Sequence, residues 1–394
     1  MASRDEIYDV CVVGAGIEGS SAARYLASRK KKTLLLEQFP LPHARGSSHG
    51  HSRIVRYGYP EDFHVALMPE AFEMWSEIEK KFGKPLLKRC GLLTIDEPPY
   101  ADVARVITNV QGVGQECIPL SSDESSKRFP GLNISPDESC ALEPGSGLID
   151  ANSALKALQE QFVEFGGILC DREKVLDIEP GSVVTIKTVN NTYKAKSVVI
   201  TVGPWVNKVL NPLGVTIPLS IQRMSVCYWP VTEPHLYSAD KFPVFIFCTP
   251  LGQRDTHVYG FPVNEYPGLI KICPHKGTEI PSPELRDSGA PEKDLNVQFT
   301  AEVIKAHFPG VKPEPSIVES CIYSVTPDHL FVMDMHPEFR NIIIGAGFSG
   351  HGFKMAPVVG KILSQMALGE KVSYDVLPFR LSRFKSFGRS KSSL

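Results

Sequence analysis

The chain has 394 residues, 42% of them hydrophobic and 22% charged, with a formal net charge of -2. That length exceeds one ordinary core and predicts two domains, the composition is that of a globular soluble chain, and the charge gives no electrostatic case for nucleic acid. No run of about 18 apolar residues reads as a membrane span. Met1 to Glu6 leads into a strand-like run without a signal-peptide core, so the chain is expected to fold inside the cell.

The apolar run Tyr8 to Val13 has no turn residues and predicts a strand buried on both faces. Gly14, Gly16 and Gly19 follow where that strand would turn into a helix. In such a turn the first glycine permits a sharp bend, the second lets backbone approach a pyrophosphate, and the third lets the helix lie close on the sheet. The helix start offers free N–H groups and a positive dipole end to phosphates. Glu37 ends the next strand, Thr33 to Leu36, at the distance expected of a carboxylate that accepts from ribose hydroxyls. Together these features predict a dinucleotide cradle and leave NAD and FAD both open.

The segment Gln38 to Arg56 carries three histidines and three arginines among small glycines and serines, which would let backbone come close to a cofactor. From Pro69 to Phe82 the residues Phe72, Trp75, Ile78 and Phe82 fall at helical spacing and predict a core helix without chemistry. The texture changes from about Leu86 to Ser139, with the strand-like Gly91 to Ile95 among polar and proline-rich linkers, and a second, smaller domain is expected to start there. A helix with Leu155, Leu158, Phe162 and Phe165 on one face follows, with Asn152 or Ser153 as its cap and Gly166-Gly167 as its stop. Lys174 to Ile178, Ser182 to Thr188 and Thr192 to Ala195 read as a meander. Ser197 to Trp205 then reads as a buried strand ending in Gly203-Pro204, an arrangement typical of the FAD-binding variant of the fold, which puts FAD ahead of NAD.

Strands broken by prolines and aromatics between Gln222 and Glu319 predict an antiparallel sheet, a natural wall for a substrate cavity. Asn341 to Lys354 repeats the strand–glycine–helix grammar of the opening, and Met355 to Leu368 continues as a helix. The nine cysteines are an odd number without Cys-x-x-Cys spacing and read as core thiols. No metal site is expected, and the sequons at Asn133 and Asn190 are taken as accidental in an intracellular chain.

The order of motifs, Gly14-x-Gly16-x-x-Gly19, Gly46 to Arg56, Glu319 to Tyr323 and Gly345 to Lys354, resembles the monomeric sarcosine oxidase family across essentially the whole chain. The resemblance implies a D-amino-acid-oxidase-like architecture, α/β in its Rossmann-like FAD-binding part and α+β overall. The expected FAD-binding ranges are 1–85, 145–218 and 320–394, interleaved with an antiparallel-sheet substrate domain at 86–144 and 219–319. It further implies a monomer that oxidises small secondary amino acids (sarcosine, L-pipecolate or L-proline) to imines and reduces O2 to hydrogen peroxide.

By the same resemblance, Cys321 bonds covalently to the flavin 8α-methyl carbon, and Arg56 and Lys354 hold the substrate carboxylate. Tyr259, His275 and Tyr323 line the pocket near the amine, with His275 orienting it. Lys271 activates oxygen, His49 and Arg53 surround the flavin ring, and Gly203, Gly345, Gly347 and Gly350 complete the cofactor site. Two rivals are a flavin dehydrogenase with another electron acceptor and a silent nucleotide-binding protein. Peroxide production suggests a peroxisome, with the cytosol as alternative. The terminal Ser392-Ser393-Leu394 would address an import receptor imperfectly, since Ser393 stands where a basic residue is usual, although Lys391 lies just upstream.

Overall fold

The computed structural model describes residues 6–250, 256–289 and 294–386. Met1 to Asp5 and Lys391 to Leu394, on which two of the expectations above rest, lie outside the described residues. The opening run forms strand Ile7–Val13, flanked in parallel by Thr33–Leu36 and by Thr192–Ile200. Ile342–Ala346 extends this sheet in parallel beyond Thr192–Ile200, and Ile168–Cys170 does so beyond Thr33–Leu36. Alternate residues of the opening strand enter different cores. Val10 and Val12 join the core shared with the helices, and Cys11 and Val13 join the one beneath the meander, while Tyr8 at the strand's start also enters the latter. A period of two with both faces covered explains the unbroken apolar run, and each Val or Leu so buried contributes about 1.5–3 kcal/mol.

The meander is present as Val175–Glu179, Val184–Thr188 and Thr192–Ile200, paired antiparallel. Its third segment and the expected strand from Ser197 are one strand, which ends at Ile200, and Gly203–Trp205 is a short 3-10 turn. The helix before it in the chain, Ala151–Glu164, is capped by Asp150, whose Oδ1 accepts from Ser153 N at 2.8 Å, and neither Asn152 nor Ser153 is the cap. Asp150 ends a strand, Gly147–Asp150, so its extended backbone already suits a cap. Helices Ile17–Ser28 and Ala356–Ala367 cross almost backbone to backbone. A Cβ on Gly360 would lie 2.6 Å from Ala22 N, and Ser364 Oγ donates to the Ala22 carbonyl at 3.2 Å. This contact joins the two ends of the chain.

The second sheet runs in the order Thr278–Glu279, Ser220–Pro230, Leu269–Pro274, Thr256–Tyr266, Val244–Thr249, Leu92–Asp96, Ser139–Glu143 and Ile118–Leu120. Neighbours are antiparallel except Val244–Thr249 beside Leu92–Asp96. Its outer face buries Trp229, Phe245, Phe247 and Ile272 against Val303, Ile304 and Phe308 of the helix Leu295–His307 region. Strand Ile317–Val325, divided at 320 in the expected domain ranges, is paired along its whole length with Ser220–Pro230. It therefore carries Cys321 and Tyr323 on the second sheet. Val332–Met335 pairs antiparallel with Ile342–Ala346 in the first sheet, and Ser52–Val55, Gly147–Asp150 and Leu87–Lys88 form a small third sheet.

Candidate active site

The turn after the first strand is built by backbone proximity. A Cβ on Gly14, at φ +99°, would stand 2.6 Å from the Thr201 carbonyl, and one on Gly19 would stand 2.0 Å from the Gly14 carbonyl. Gly19 thus does the expected work of helix–sheet contact. The Glu37 carboxylate is fixed from both sides, accepting from Ala15 N at 2.9 Å and Phe39 N at 3.0 Å, and it lines the cavity with lone pairs to spare. Ser48 Oγ accepts from Ile17 N at 3.0 Å, which ties the histidine- and arginine-rich segment to the helix start.

These groups open onto a cavity of about 1840 Å³, lined by Gly14, Gly16, Glu37, His49, Arg53, Gly203, Tyr323 and Gly350 among others. A usual small-molecule pocket is about 300–1,000 Å³, so the space suits an extended ligand such as a dinucleotide. Gly345 and Gly347 stand behind it. A Cβ on Gly345 would press on Leu363, and one on Gly347 on Thr326. Arg53 donates to the carbonyls of Ser47 at 3.0 Å and His49 at 2.6 Å, so it organises its own loop. Burial lowers His49 to about 4, and its Nδ1 lies 2.7 Å from the Gly46 carbonyl. A neutral His49 leaves Arg53 as the source of positive potential in this loop.

A second cavity, of about 930 Å³, holds Arg56, Tyr259, Lys271, His275, Cys321 and Lys354. Arg53, Tyr323, Ser349, Gly350 and Phe353 line both cavities and define their junction. Gly350 is required there. At φ +80° its Cβ would strike Tyr323 at 2.3 Å and His275 at 2.8 Å. His275 lies edge-on to Tyr259 and Tyr323, with centroids at 5.9 and 5.5 Å. Arg56 and Lys354 converge on the Tyr59 ring at 4.1 and 5.8 Å from its centroid, and neither has an ion-pair partner among the described residues. Burial, with Arg56 and Arg53 alongside, holds the Lys354 ammonium well below its usual range. Two unpaired cations at the end of a cavity are an open site for a carboxylate.

Several supports escaped the sequence reading. Glu143, buried, accepts from Tyr57 N and Gly58 N at 3.0 Å each and from Ser146 Oγ at 2.8 Å, and so fixes the chain immediately after Arg56. Trp75, on the helix expected to carry no chemistry, donates from Nε1 to the Lys354 carbonyl at 2.9 Å. His64, His257 and His351 stand around the cavity with His275, and burial drives all four below the usual imidazole range. These residues come from distant segments with no spacing rule to join them. Away from both cavities, Glu97, Glu138 and His307 approach one another within 4.8 Å. Thr249 donates to Glu97, Ser135 N donates to Glu138, and His307 meets the Asn133 carbonyl.

Glu18, inside the glycine motif, did carry a signal, because an ionised acid there would repel phosphate. Burial raises its carboxyl well above the usual range, and Oε2 is buried without a partner. A protonated Glu18 facing the cavity wall is therefore a donor suited to an anionic ligand. The large cavity, the glycine turn, Glu37 and this neutral acid fit FAD.

The family model described as "FAD dependent oxidoreductase" matches residues 9–366. The chain belongs to that family and, within it, to the sarcosine oxidases. It is 45% identical over 394 residues to the peroxisomal sarcosine oxidase of Homo sapiens, covering 99% of this chain and 100% of the relative. It is 34% identical to the monomeric sarcosine oxidase of Bacillus sp. (strain B-0618), covering 95% of this chain and 96% of that one. The open form of NikD, an unusual amino acid oxidase, has the same fold, with a TM-score of 0.81 at 23% identity over 95% of this chain and 97% of that chain. In a Cys321→Ser background, where flavin is held without a covalent link, replacement of Glu18 by Gln, which keeps a neutral donor, should leave the flavin-to-protein absorbance ratio within about twofold of the parent, whereas Glu18→Ala should lower flavin retention by the loss of one buried hydrogen bond, about 1–3 kcal/mol.

Proposed function

We propose that this chain oxidises small secondary amino acids, sarcosine and L-pipecolate foremost and L-proline as a further candidate, at the carbon next to nitrogen. The observation that carries this reading is the unpaired Arg56–Lys354 pair in a cavity that meets the cofactor cavity at Tyr323 and Gly350. FAD, when bound, supplies the two-electron acceptor for that oxidation and passes the electrons to O2, giving hydrogen peroxide. The imine then hydrolyses, so that sarcosine, O2 and water yield glycine, formaldehyde and hydrogen peroxide.

The chain's own residues do the positioning. Arg56 grips the carboxylate through two parallel hydrogen bonds, and that negative charge in turn favours the ammonium form of Lys354, which burial opposes. His275, held neutral by burial and by the histidines and cations facing it, donates its ring N–H to the amine lone pair and so favours the deprotonated form. Tyr259 and Tyr323 confine the amine from two sides. Lys271 presents a cation to the reduced oxygen species as its negative charge develops, which is the usual logic of preorganised stabilisation. Cys321 forms the covalent link to the flavin. In support of that link, it is buried and lines the second cavity, and Tyr323, on the same face of its strand, lines both.

The chain is further proposed to act as a monomer in peroxisomes, where peroxide can be destroyed. The human relative is named peroxisomal, and the C-terminal Ser392-Ser393-Leu394 is offered as the import signal.

Anaerobic addition of sarcosine or pipecolate should bleach the flavin absorbance, and an enzyme that stays yellow with both defeats the reading. Replacing Arg56 by Met should raise KM for these substrates on the order of a hundredfold, the cost of leaving one buried charge unpaired being about 2–5 kcal/mol. Acid precipitation of the wild-type protein should carry the flavin down with it, while Cys321→Ser should release it into the supernatant; extractable wild-type flavin excludes the covalent link. A fluorescent protein bearing residues 383–394 should collect in peroxisomes, and a diffuse cytosolic signal would move the enzyme there.

A further inference from the structure

One buried carboxylate beside the second cavity has no part in the reading so far. Glu265, its side chain 3% exposed, stands with Oε1 3.2 Å from Lys271 Nζ. Ser52 Oγ donates to the same oxygen, and the Tyr228 hydroxyl donates to Oε2. Lys271 also reaches Ser52 Oγ at 3.4 Å, and the rings of Phe261 and Tyr228 flank its Nζ at 4.9 and 5.6 Å. The ammonium is therefore held by one anion and one hydroxyl inside an aromatic sleeve.

The backbone is irregular where it delivers this carboxylate. Thr256–Tyr266 and Leu269–Pro274 form a hairpin whose register slips between the pairs Phe261↔Lys271 and Tyr266↔Leu269. Pro262 to Glu265 stand opposite Ile270 alone, so the first strand bulges there, a device that re-aims side chains near functional sites. Burial alone would raise Glu265, but the charge of Lys271 and the donations from Ser52, Tyr228 and Lys271 outweigh it and hold the carboxyl below its usual range. Lys354, about as buried, has no carboxylate in ion-pair range among the described residues, whereas Lys271 has Glu265.

We infer that Glu265 is a positioning residue for Lys271, supplying the countercharge that keeps its ammonium protonated and fixing Nζ against the cavity, while Ser52 and Tyr228 occupy the rest of the carboxylate. This deepens the proposed function and rests on Lys271 being the cation that faces reduced oxygen. The other groups around the pair are Tyr228, Tyr266, Glu319, Cys273, Arg53 and His51. Burial raises Tyr228 and takes Cys273 to about 11, and the hydrogen bond to Glu319 raises Tyr266, so these three stay neutral from pH 6 to 9. Arg53 keeps its charge throughout. His51 meets Tyr266 edge-on, with centroids 6.0 Å apart, and must be separated by a control.

The test uses holoenzyme reduced by light, so that no amine substrate is needed, and then mixed with O2 at a series of pH values. Glu265→Gln keeps the size and most of the hydrogen bonding but removes the charge. Its reoxidation rate constant should lie within about threefold of wild type at pH 6 and fall about tenfold per pH unit above a lowered lysine pKa, while wild type stays flat to pH 9. The flavin midpoint potential, read by dye equilibration, should drop below that of wild type over the same pH range. In a Lys271→Met background, Glu265→Gln should add nothing to either readout, which assigns the titration to Lys271 and not to His51. A wild-type profile in Glu265→Gln overturns the inference. So does a pH-independent loss that persists in the Lys271→Met background. Failure of sarcosine and pipecolate to reduce the flavin would instead count against the proposed function, with the light-driven measurement still decisive for Glu265.

Discussion

The approach of the Gly14 turn to the strand end at Thr201 sets the geometry on which both cavities depend. Thr201 Oγ1 donates to the carbonyls of Val13 and Gly14 at 3.1 and 3.2 Å, and Gly19 fits beneath with no room for a Cβ. Two parallel strand ends and a helix start are thereby locked within backbone contact. Ile17–Ser28 in turn crosses Ala356–Ala367 at Gly360, and that second helix follows directly on Lys354. A cradle at one end of the chain and the cavity residue Lys354 near the other end are thus positioned by one continuous stack of close backbone contacts. Such contacts tolerate little: added side-chain atoms in a close-fitting core cost about 1–3 kcal/mol even where neighbours can shift.

The treatment of charge follows from that rigidity. Among the described residues Arg56 and Lys354 have no carboxylate in ion-pair range, and both lie over the Tyr59 ring, so their attraction is available to a ligand. Lys271 is given Glu265, Ser52 and an aromatic sleeve by the protein itself. One group of cations is thus left to attract a ligand, and the other is partnered within the fold. Glu143 and Trp75 act one step back, holding the chain at Tyr57 and Gly58 and the carbonyl of Lys354.

Legibility in the sequence tracks how local each feature is. The Gly14–Gly19 turn, the strand before it and Glu37 lie within one unit and obey fixed spacings, and the structure reproduces them. The helix with Trp75 was readable as a core helix from its period, but the bond from Trp75 to Lys354 spans 279 positions and leaves no periodic trace. The same holds for Glu265, whose partners Ser52 and Tyr228 lie in other strands and whose orientation depends on a bulge. The cap at Asp150 was misplaced by a few residues because Asn152 and Ser153 are equally good cap types, and only the strand ending at Asp150 decides between them. Resemblance supplied the expected assignments for Arg56, Lys271, Lys354 and Cys321, which composition and spacing alone would have left as ordinary basic residues and a core thiol.

The histidines around the second cavity bear on how its charge is read. His64 has both ring nitrogens buried without a hydrogen bond, and its nearest acid, Glu61, is 3.6 Å away. His257 is stacked on His275 at 4.2 Å and is lowered to about 3, first by burial and then by Arg56. Four imidazoles could be mistaken in sequence for a cationic or metal-binding cluster, yet each is neutral because protonating it would place another positive charge beside Arg56 and Lys354 in a poorly solvated space. The four rings thus present hydrogen-bonding nitrogens to the second cavity without adding charge to it, and leave its attraction for an anion to Arg56 and Lys354.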